Sequence, residues 1–437
     1  MIMKHINKYI FASATLIAFA SAFSSCKNEE DDIFDASAAE RLEQAKTENH
    51  NLLCAAPNGW AMQYFADNTD EGGYTFLMKF DKNTSVKIAA NSSLTGNVYE
   101  EETSMFDVIA DYGPVLTFNS YNSIFHQLAD PYDVPSLPGD ESGYGHRGDY
   151  EFIIMDATAD RIELRGKKHG VDIIMTALPE DADWATYFDD LKAKSRSLFN
   201  DKFDPLLLDL GDDNRFIVSK ASTGVFNIYP EGGDAISQTT KHPYIINNNG
   251  IRFKEKFEDT EIQELLFSED GTLHVEGIEG AGLRQSLALN EIFARKSFSW
   301  RITTANCYGS FATVLAVIET ETKDKLKRNF NSIDLTYYSN QGTYALSFRN
   351  SGTSAAAYIY GDETVDADGV SVKFDFSTTE GNNNGKNRLR DIPSLTTFIN
   401  LLNSTQFTLS TDNPLAPTTV ILKSKDNEND YMIVPLV

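Results

Sequence analysis

Tyr74, Phe76, Met78 and Phe80 place a large apolar side chain at every second position. A strand turns successive side chains to opposite faces, so this alternation fits a sheet with one face buried. The same signature recurs along the chain in short runs bounded by Gly, Pro, Asn and Asp. It predicts strands over 60–65, 74–80, 86–90, 104–110, 115–118, 150–155, 161–166 and 171–177. A second set covers 215–220, 224–229, 244–247, 251–257, 264–268 and 273–276, and a third 333–338, 343–349, 356–360, 370–376, 406–410, 418–423 and 431–434. The spacing of the turn signals favours antiparallel meanders, with one long loop over 130–148.

Helical spacing appears three times. Ser37-Ala-Ala-Glu40 reads as a capping box, followed by Leu42, Ala45, Asn49, Leu52 and Leu53 on one stripe. That helix should stop near Cys54, because Pro57-Asn58-Gly59 is turn chemistry. Trp184, Tyr187, Phe188, Leu191, Ser195 and Leu198 form a second stripe. Phe311, Val314, Leu315 and Ile318 form a third, supported by Glu319–Lys323 and Glu321–Lys325 pairs. The expectation is a mainly β (α+β) protein of antiparallel meanders or small barrels, each preceded by an amphipathic helix. The units divide as 37–178, 179–305 and 306–437, after a leader (1–25) and an acidic tether (26–36). Gly73–Phe80 resembles Gly342–Arg349, and Pro114–Phe118 is echoed by Gly250–Phe253 and Gly369–Phe374, as repeated units would require. Such a unit buries a core inside its curve and can leave a ligand-sized mouth.

The beginning of the chain carries its clearest address. Lys4, His5 and Lys8 precede an apolar run from Tyr9 to Phe23, broken only by Ser13, Thr15 and Ser21. A run of about 15 residues falls short of the roughly 20 that span a bilayer, and it suits the apolar region of a secretory signal. Ser24, Ser25 and Cys26 follow as in a lipobox, with Phe23 where leucine is usual. The Cys26 thiol is therefore the expected lipidation site and membrane attachment. Acyl chains contribute about 0.8 kcal/mol per buried CH₂, so several on one cysteine anchor firmly. No later stretch is apolar enough to span a membrane.

Charge narrows the partners. The formal net charge is −26, and it becomes −28 once the leader takes Lys4 and Lys8 away. Such a surface repels nucleic acid, so none is expected as a partner. Of three cysteines, Cys54 and Cys307 remain besides Cys26, read as two separate thiols whose pairing spacing alone does not settle.

Motifs for chemistry are sparse. Gly143-Tyr-Gly145-His-Arg-Gly148 matches G-x-G-x-x-G, but a loop precedes it and a strand follows, so no helix N-terminus faces a phosphate. Asp67–Gly72 and Thr364–Asp375 each resemble part of a calcium loop, and each lacks a required carboxylate. The first has Met78 at the closing position, the second Thr364 at the leading one; a polar turn is the simpler reading. The seven histidines form no H-E-x-x-H or close cluster, and no G-x-S-x-G elbow occurs. No catalytic residue, metal site or cofactor is expected. Strand aromatics such as Tyr74, Phe76, Phe80, Phe118 and Phe152 read as core. Tyr112, Tyr121, Tyr132 and Tyr144 lie near loops, where they would pack loops or stack on a sugar ring.

Several stretches together resemble a known family. They are Ser37-Ala-Ala-Glu40-Arg41, Ala56-Pro-Asn-Gly-Trp60, Gly73-Tyr-x-Phe76-x-x-x-Phe80, Gly113-Pro-Val-Leu-Thr-Phe118 and Gly148-Asp-Tyr-Glu-Phe152. The set is similar to Bacteroidota lipoproteins of the domain of unknown function 4302 family, best from Asp31 to about Phe199. Lys27 followed by Glu29–Asp32 resembles the surface-export signal of such lipoproteins. The resemblance implies no catalytic residues and a setting beside SusC/SusD-like import systems. The expectation is thus a surface-exposed outer-membrane lipoprotein rather than an enzyme. It would bind a small ligand or glycan as a nutrient, or assist an outer-membrane transporter. Two alternatives stay open: a hydrolase whose acids meet only in the fold, and an adhesion or structural lipoprotein.

Overall fold

The structure, a computed structural model, describes residues 36–131, 145–257 and 260–437. The leader, Cys26 and the acidic tether up to residue 35 lie outside the described residues, as do Tyr132, Gly143 and Tyr144. The fold is mainly β: three eight-stranded antiparallel sheets, two of them closed barrels.

Helix α1 (Ala38–Leu53) starts at the expected capping box. The Glu40 amide donates to Ser37 Oγ at 3.3 Å, and the Ser37 amide donates to Glu40 Oε2 at 2.9 Å. The helix stops before the Pro57–Gly59 turn, and the Trp60 indole donates to the Leu53 carbonyl at 2.9 Å. Trp60 thus caps the helix end that precedes it and opens the first sheet.

The first barrel comprises β1 (Trp60–Tyr64), β2 (Tyr74–Phe80), β3 (Ser85–Ala90), β4 (Glu100–Ala110), β5 (Pro114–Phe118), β6 (Glu151–Ala157), β7 (Arg161–Gly166) and β8 (Asp172–Ala177). It closes by pairing β1 with β8, Trp60 opposite Ala177 and Met62 opposite Met175. The alternating residues face inward as their period requires, and Tyr74, Phe76, Phe80, Phe118 and Phe152 are all buried. An eight-stranded barrel is narrow enough for side chains to fill it. Phe125, from the segment between β5 and β6, plugs this one. Its ring centroid lies 4.5 Å from Phe118, 5.1 Å from Phe76, 5.6 Å from Tyr64 and 6.1 Å from Phe152. Among the described residues aromatic side chains fill this interior, where such a unit can leave a ligand-sized mouth.

Helix α2 (Trp184–Leu198) lies across the outer wall of the first barrel. Trp184, Phe188 and Leu191 pack on Ala61, Leu77 and Ala89, and Asp183 caps the helix by accepting the Thr186 amide at 2.8 Å. At its far end Leu198 enters the core of the second barrel. That barrel comprises β9 (Leu206–Asp209), β10 (Arg215–Ser222), β11 (Val225–Pro230), β12 (Thr240–Ile246), β13 (Gly250–Phe253), β14 (Glu264–Phe267), β15 (Leu273–His274) and β16 (Gly282–Gln285), with a single-turn α3 (Ala235–Gln238) after β11. It closes through β9 and β16, Leu208 opposite Leu283.

The third sheet follows a short helix, α4 (Leu289–Phe293). Its strands are β17 (Ser299–Ile302), β18 (Phe330–Tyr338), β19 (Thr343–Asn350), β20 (Ala357–Val365), β21 (Ser371–Gly381), β22 (Phe407–Ser410), β23 (Thr419–Ser424) and β24 (Tyr431–Pro435). The Trp300 indole donates to the Phe293 carbonyl at 2.8 Å, seven residues back, as Trp60 does to Leu53. The first and third units therefore share one entry device. The long helix α5 (Ser310–Leu326), expected ahead of its strands, lies between β17 and β18, and α4 takes the leading place. Two further helices, α6 (Asn383–Asp391) and α7 (Pro393–Ser404), join β21 to β22. The sheet ends meet where Trp300 bridges Leu436 and the Val437 amide donates to Ser299 O at 2.9 Å. Phe311, Leu315 and Ile318 of α5 and Leu395, Phe398 and Leu402 of α7 share its core.

Candidate functional site

The chain between β1 and β2 joins the first two barrels. Its acidic stretch, Asp67–Gly72, is occupied by protein groups. Asp67 pairs with Arg147 at 2.6 Å and lies 3.8 Å from Lys254. Asp70 binds Lys241. Glu71 is buried; it accepts the Tyr74 hydroxyl at 2.7 Å and lies 2.6 Å from His146 Nδ1. Gly72 meets the second barrel directly: a Cβ there would lie 2.5 Å from the Gly224 Cα. The Gly73 amide then donates to Tyr244 O at 3.1 Å. What resembles a calcium loop is thus a docking loop whose carboxylates meet lysine, arginine and histidine.

The other stretches singled out from sequence also find structural roles. Gly148, last of the G-x-G-x-x-G match, presses on the plugged end of the first barrel; a Cβ there would lie 2.5 Å from the Tyr64 hydroxyl. Asp366–Gly369 is the tip of the β20–β21 hairpin, held by Asn290, which donates to Asp366 O at 2.8 Å. Ser371 and the Val370 amide donate to Asp368 and hold its carboxyl down at about 2. His50 stacks on Phe106, and His242 on Phe257. Cys54 and Cys307 are both free. Among the described residues no group of three or more His, Cys, Asp or Glu is arranged to hold a metal ion.

Among the described residues two concavities stand out. The smaller, about 470 Å³, is lined by Tyr150 with Asp149, Glu151, Lys167 and Lys168. Its charges are largely engaged: Lys167 pairs with Asp111 at 2.8 Å and Glu151 at 3.2 Å, and Asp149 accepts the Lys168 and His169 amides. Beside it the rings of Tyr121, His126 and Tyr150 stand tilted in a row, with centroids 5.5 and 5.6 Å apart. Tyr121 thus has an aromatic neighbour of the kind a ring-binding surface uses, whereas Tyr112 stands fully exposed with φ at 55°.

The larger concavity, about 650 Å³, is the cleft where the wall of the first barrel meets the rim of the second. Ile174, Leu210, Ile262, Val275 and Ile278 give it apolar surface, while Asp212, Glu261, Glu264 and Glu276 make it acidic. Arg161 of β7 is the cation lining it. Glu264 has Arg252, 2 % exposed and not part of the lining, directly opposite it across the β13–β14 ladder. Its guanidinium lies over the Phe65 ring at 5.5 Å and 3.9 Å from Glu264 Oε1, too far for a hydrogen bond. Arg252 Nε and Nη1 have no hydrogen-bond partner, and neither does the buried Gln63 Oε1 on β1. Burial pulls the Arg252 guanidinium down to about 10, with Glu264 opposing the change. An unpartnered buried donor costs about 1–3 kcal/mol, so such groups are uncommon in a settled structure. Sequence reasoning missed both residues. Arg252 falls within a strand run where a charged residue reads as solvent-facing.

Comparisons with known proteins add a family. The family model described as Domain of unknown function (DUF4302) matches residues 30–268, more than half of the chain. No curated protein matches. Among solved structures, the β chain of DNA polymerase III from Streptococcus pneumoniae aligns over 90 % of this chain and 98 % of its own, at 9 % identity and a TM-score of 0.11. The DnaN sliding clamp from Pseudomonas aeruginosa, solved with griselimycin, aligns over 90 % and 97 %, at 9 % identity and a TM-score of 0.12. Scores this low carry no argument about fold or function.

Proposed function

We propose that this chain, which belongs to the DUF4302 family, is a lipid-anchored lipoprotein of the Bacteroidota outer membrane. It faces the cell exterior and captures a nutrient, alone or beside a SusC/SusD-like importer. One observation carries the capture: a cleft of about 650 Å³ that sets apolar side chains beside Arg161 and four carboxylates. Concave, partly apolar sites with a few convergent polar groups are the usual form of a binding site. The address comes from sequence, from the signal-like run ending at Phe23 and from Cys26 after Ser24 and Ser25. In this reading acyl chains on Cys26 hold the body at the membrane, and the docking loop at Asp67–Gly73 holds two barrels in one relation. A preformed cleft loses less ordering entropy on binding than a loop would.

The test has two arms. Cells expressing the wild type and Cys26→Ala are fed labelled palmitate, and intact cells are treated with protease. Label on the wild type alone, with loss of the body on protease treatment, supports the anchor and its orientation. An unlabelled wild type or a protected body refutes them. The purified body is then melted against glycans, peptides, haem and divalent ions. A ligand at 100 times its Kd raises stability by about 2.7 kcal/mol, which a melting curve resolves. A ligand consumed rather than retained would replace capture with hydrolysis.

A further inference from the structure

We propose that the aromatic row at the plugged end of the first barrel binds a neutral oligosaccharide. The concavity beside the row shares no lining residue with the larger cleft, so this is a second and separate site. The plug holds the row in place. Asn122, fully buried, accepts the Ile124 and Phe125 amides at 3.1 and 3.0 Å. The His126 amide donates to Asn122 O at 3.0 Å, and the Asn122 amide donates to His126 Nδ1 at 3.1 Å. With Nδ1 an acceptor the imidazole is neutral, and burial lowers its pKa below the usual histidine value. Tyr150 completes the row from the start of β6, where its carbonyl accepts the Phe118 amide at 3.2 Å. The outer rings are open to solvent, Tyr121 60 % exposed and Tyr150 47 %. Rigid aromatic side chains on a fixed backbone lose little entropy when a ligand covers them.

The chemistry selects a sugar. An aromatic face carries partial negative charge, and the C–H groups on one face of a pyranose are its positive complement. Rings spaced at 5.5 and 5.6 Å and tilted by 35° and 30° offer successive contacts to successive units of a chain, not one closed pocket to one small molecule. The adjoining concavity brings polar groups to the edge of the row, where hydroxyls need them. Its carboxylates are already matched within the protein. Lys167 lies between Asp111 and Glu151, and Asp149 accepts the Lys168 and His169 amides. A cationic ligand therefore finds these carboxylates taken, and an anionic one meets the field of a chain of net charge −26. The same field excludes a nucleic acid, whose bases would otherwise stack on the rings. Neutral hydroxyls share the remaining lone pairs and N–H groups without displacing an ion pair.

The full-length protein, in a detergent without a sugar headgroup, is titrated calorimetrically with hexaoses of α-linked glucose, β-linked glucose, β-linked mannose and β-linked xylose. Hexagalacturonate serves as the acidic probe. At least one neutral hexaose should bind, about tenfold or more tighter than hexagalacturonate, with an affinity unchanged as NaCl rises from about 0.05 to 0.5 M. Tyr121→Ala and Tyr150→Ala should each weaken it several-fold, up to about tenfold, through the lost ring face. Both side chains are exposed, so lost affinity is not lost fold. Tyr121→Phe and Tyr150→Phe keep the ring and should keep the affinity. Tyr308→Ala, which removes an exposed ring stacked on Tyr431 in the third unit, should change nothing. Silence of all the neutral hexaoses overturns the assignment, as does tighter binding of hexagalacturonate or an equal loss in Tyr308→Ala. A hexaose whose affinity survives both tyrosine-to-alanine substitutions binds elsewhere, which overturns the row while leaving capture at the cleft standing.

Discussion

Phe125→Ala removes the plug of the first barrel and nothing else. The side chain is 1 % exposed and its ring meets five other rings within about 6 Å. Transferring a phenyl group from this core to water costs about 2–3 kcal/mol. The vacated space, on the order of 80 Å³, adds about 2 kcal/mol at roughly 24 cal/mol per Å³, since a closed barrel has little freedom to collapse. The expected loss is therefore about 4 kcal/mol, confined to the first barrel. Native-state hydrogen exchange read by mass spectrometry isolates it. Peptides covering 74–80 and 150–155 should lose protection by about three powers of ten, while peptides covering 330–338 and 371–376 stay unchanged. Phe125→Leu keeps most of the apolar volume and should lose about half as much. A Phe125→Ala loss below about 1 kcal/mol, or an equal loss in the third sheet, would refute the reasoning that a filled interior holds the barrel.

Two further outcomes follow from the geometry, beside those already given for Cys26 and the cleft. Burial raises the Glu363 carboxyl to about 8, with Tyr344 working the other way, while the unfolded chain titrates near 4.5. The folded state therefore holds a proton that the unfolded state releases. The Glu363 contribution to stability is fully present below about pH 4.5, falls as pH rises to about 8 and is gone above it. The ceiling is about 5 kcal/mol at 1.36 kcal/mol per unit, and partial exposure of the side chain reduces it to about 1–2. Glu363→Gln should flatten that slope in urea melts taken from pH 5 to 8, and an unchanged slope would sink the assignment. Gly72→Ala drives a methyl group into the Gly224 backbone, so it should separate the barrels at a cost of about 1–3 kcal/mol and split the melt of the pair into two transitions. A single unshifted transition would show that the loop does not couple them.

The strands that sequence made visible are those whose two faces differ. Tyr74 to Phe80 alternates because its inward side is aromatic core, whereas its outward side sets Thr75 and Lys79 around Leu77, which α2 covers. The strands that went unseen close the second barrel. β9 reads Leu206-Leu-Leu-Asp, buried throughout, so it has no alternation to detect. β16 reads Gly282-Leu-Arg-Gln, with one inward apolar residue. Their partnership, Leu208 opposite Leu283, is a fact of closure that no local pattern encodes. β17 and α7 are different, because signals were present: Trp300 alternates with Ile302, and Leu395, Phe398, Ile399 and Leu402 follow Pro393 at helical spacing.

The site was less legible than the fold. Asp67–Gly72 resembles a metal loop because acids are dense there. The cations that occupy it come from far along the chain, Arg147 at a separation of 80 residues and Lys241 at 171. Arg252 owes its burial to the approach of the other barrel. Of the tyrosines named for ring binding, Tyr121 alone was found in an aromatic row, and Tyr132 and Tyr144 lie outside the described residues.

Barrel closure also governs how this protein can be cut. The family-matched segment ends at 268, one residue past β14, and β15 and β16 lie beyond it. A recombinant fragment trimmed to that segment would leave β9 and β14 as bare edges, with backbone donors and acceptors ready to recruit a second molecule. Extending the fragment to Gln285 restores the ring, yet Leu415 from the β22–β23 connection still sits in the second barrel's core. The middle barrel borrows Leu198 from one side and Leu415 from the other, so sequence similarity and autonomous folding part company at its boundary.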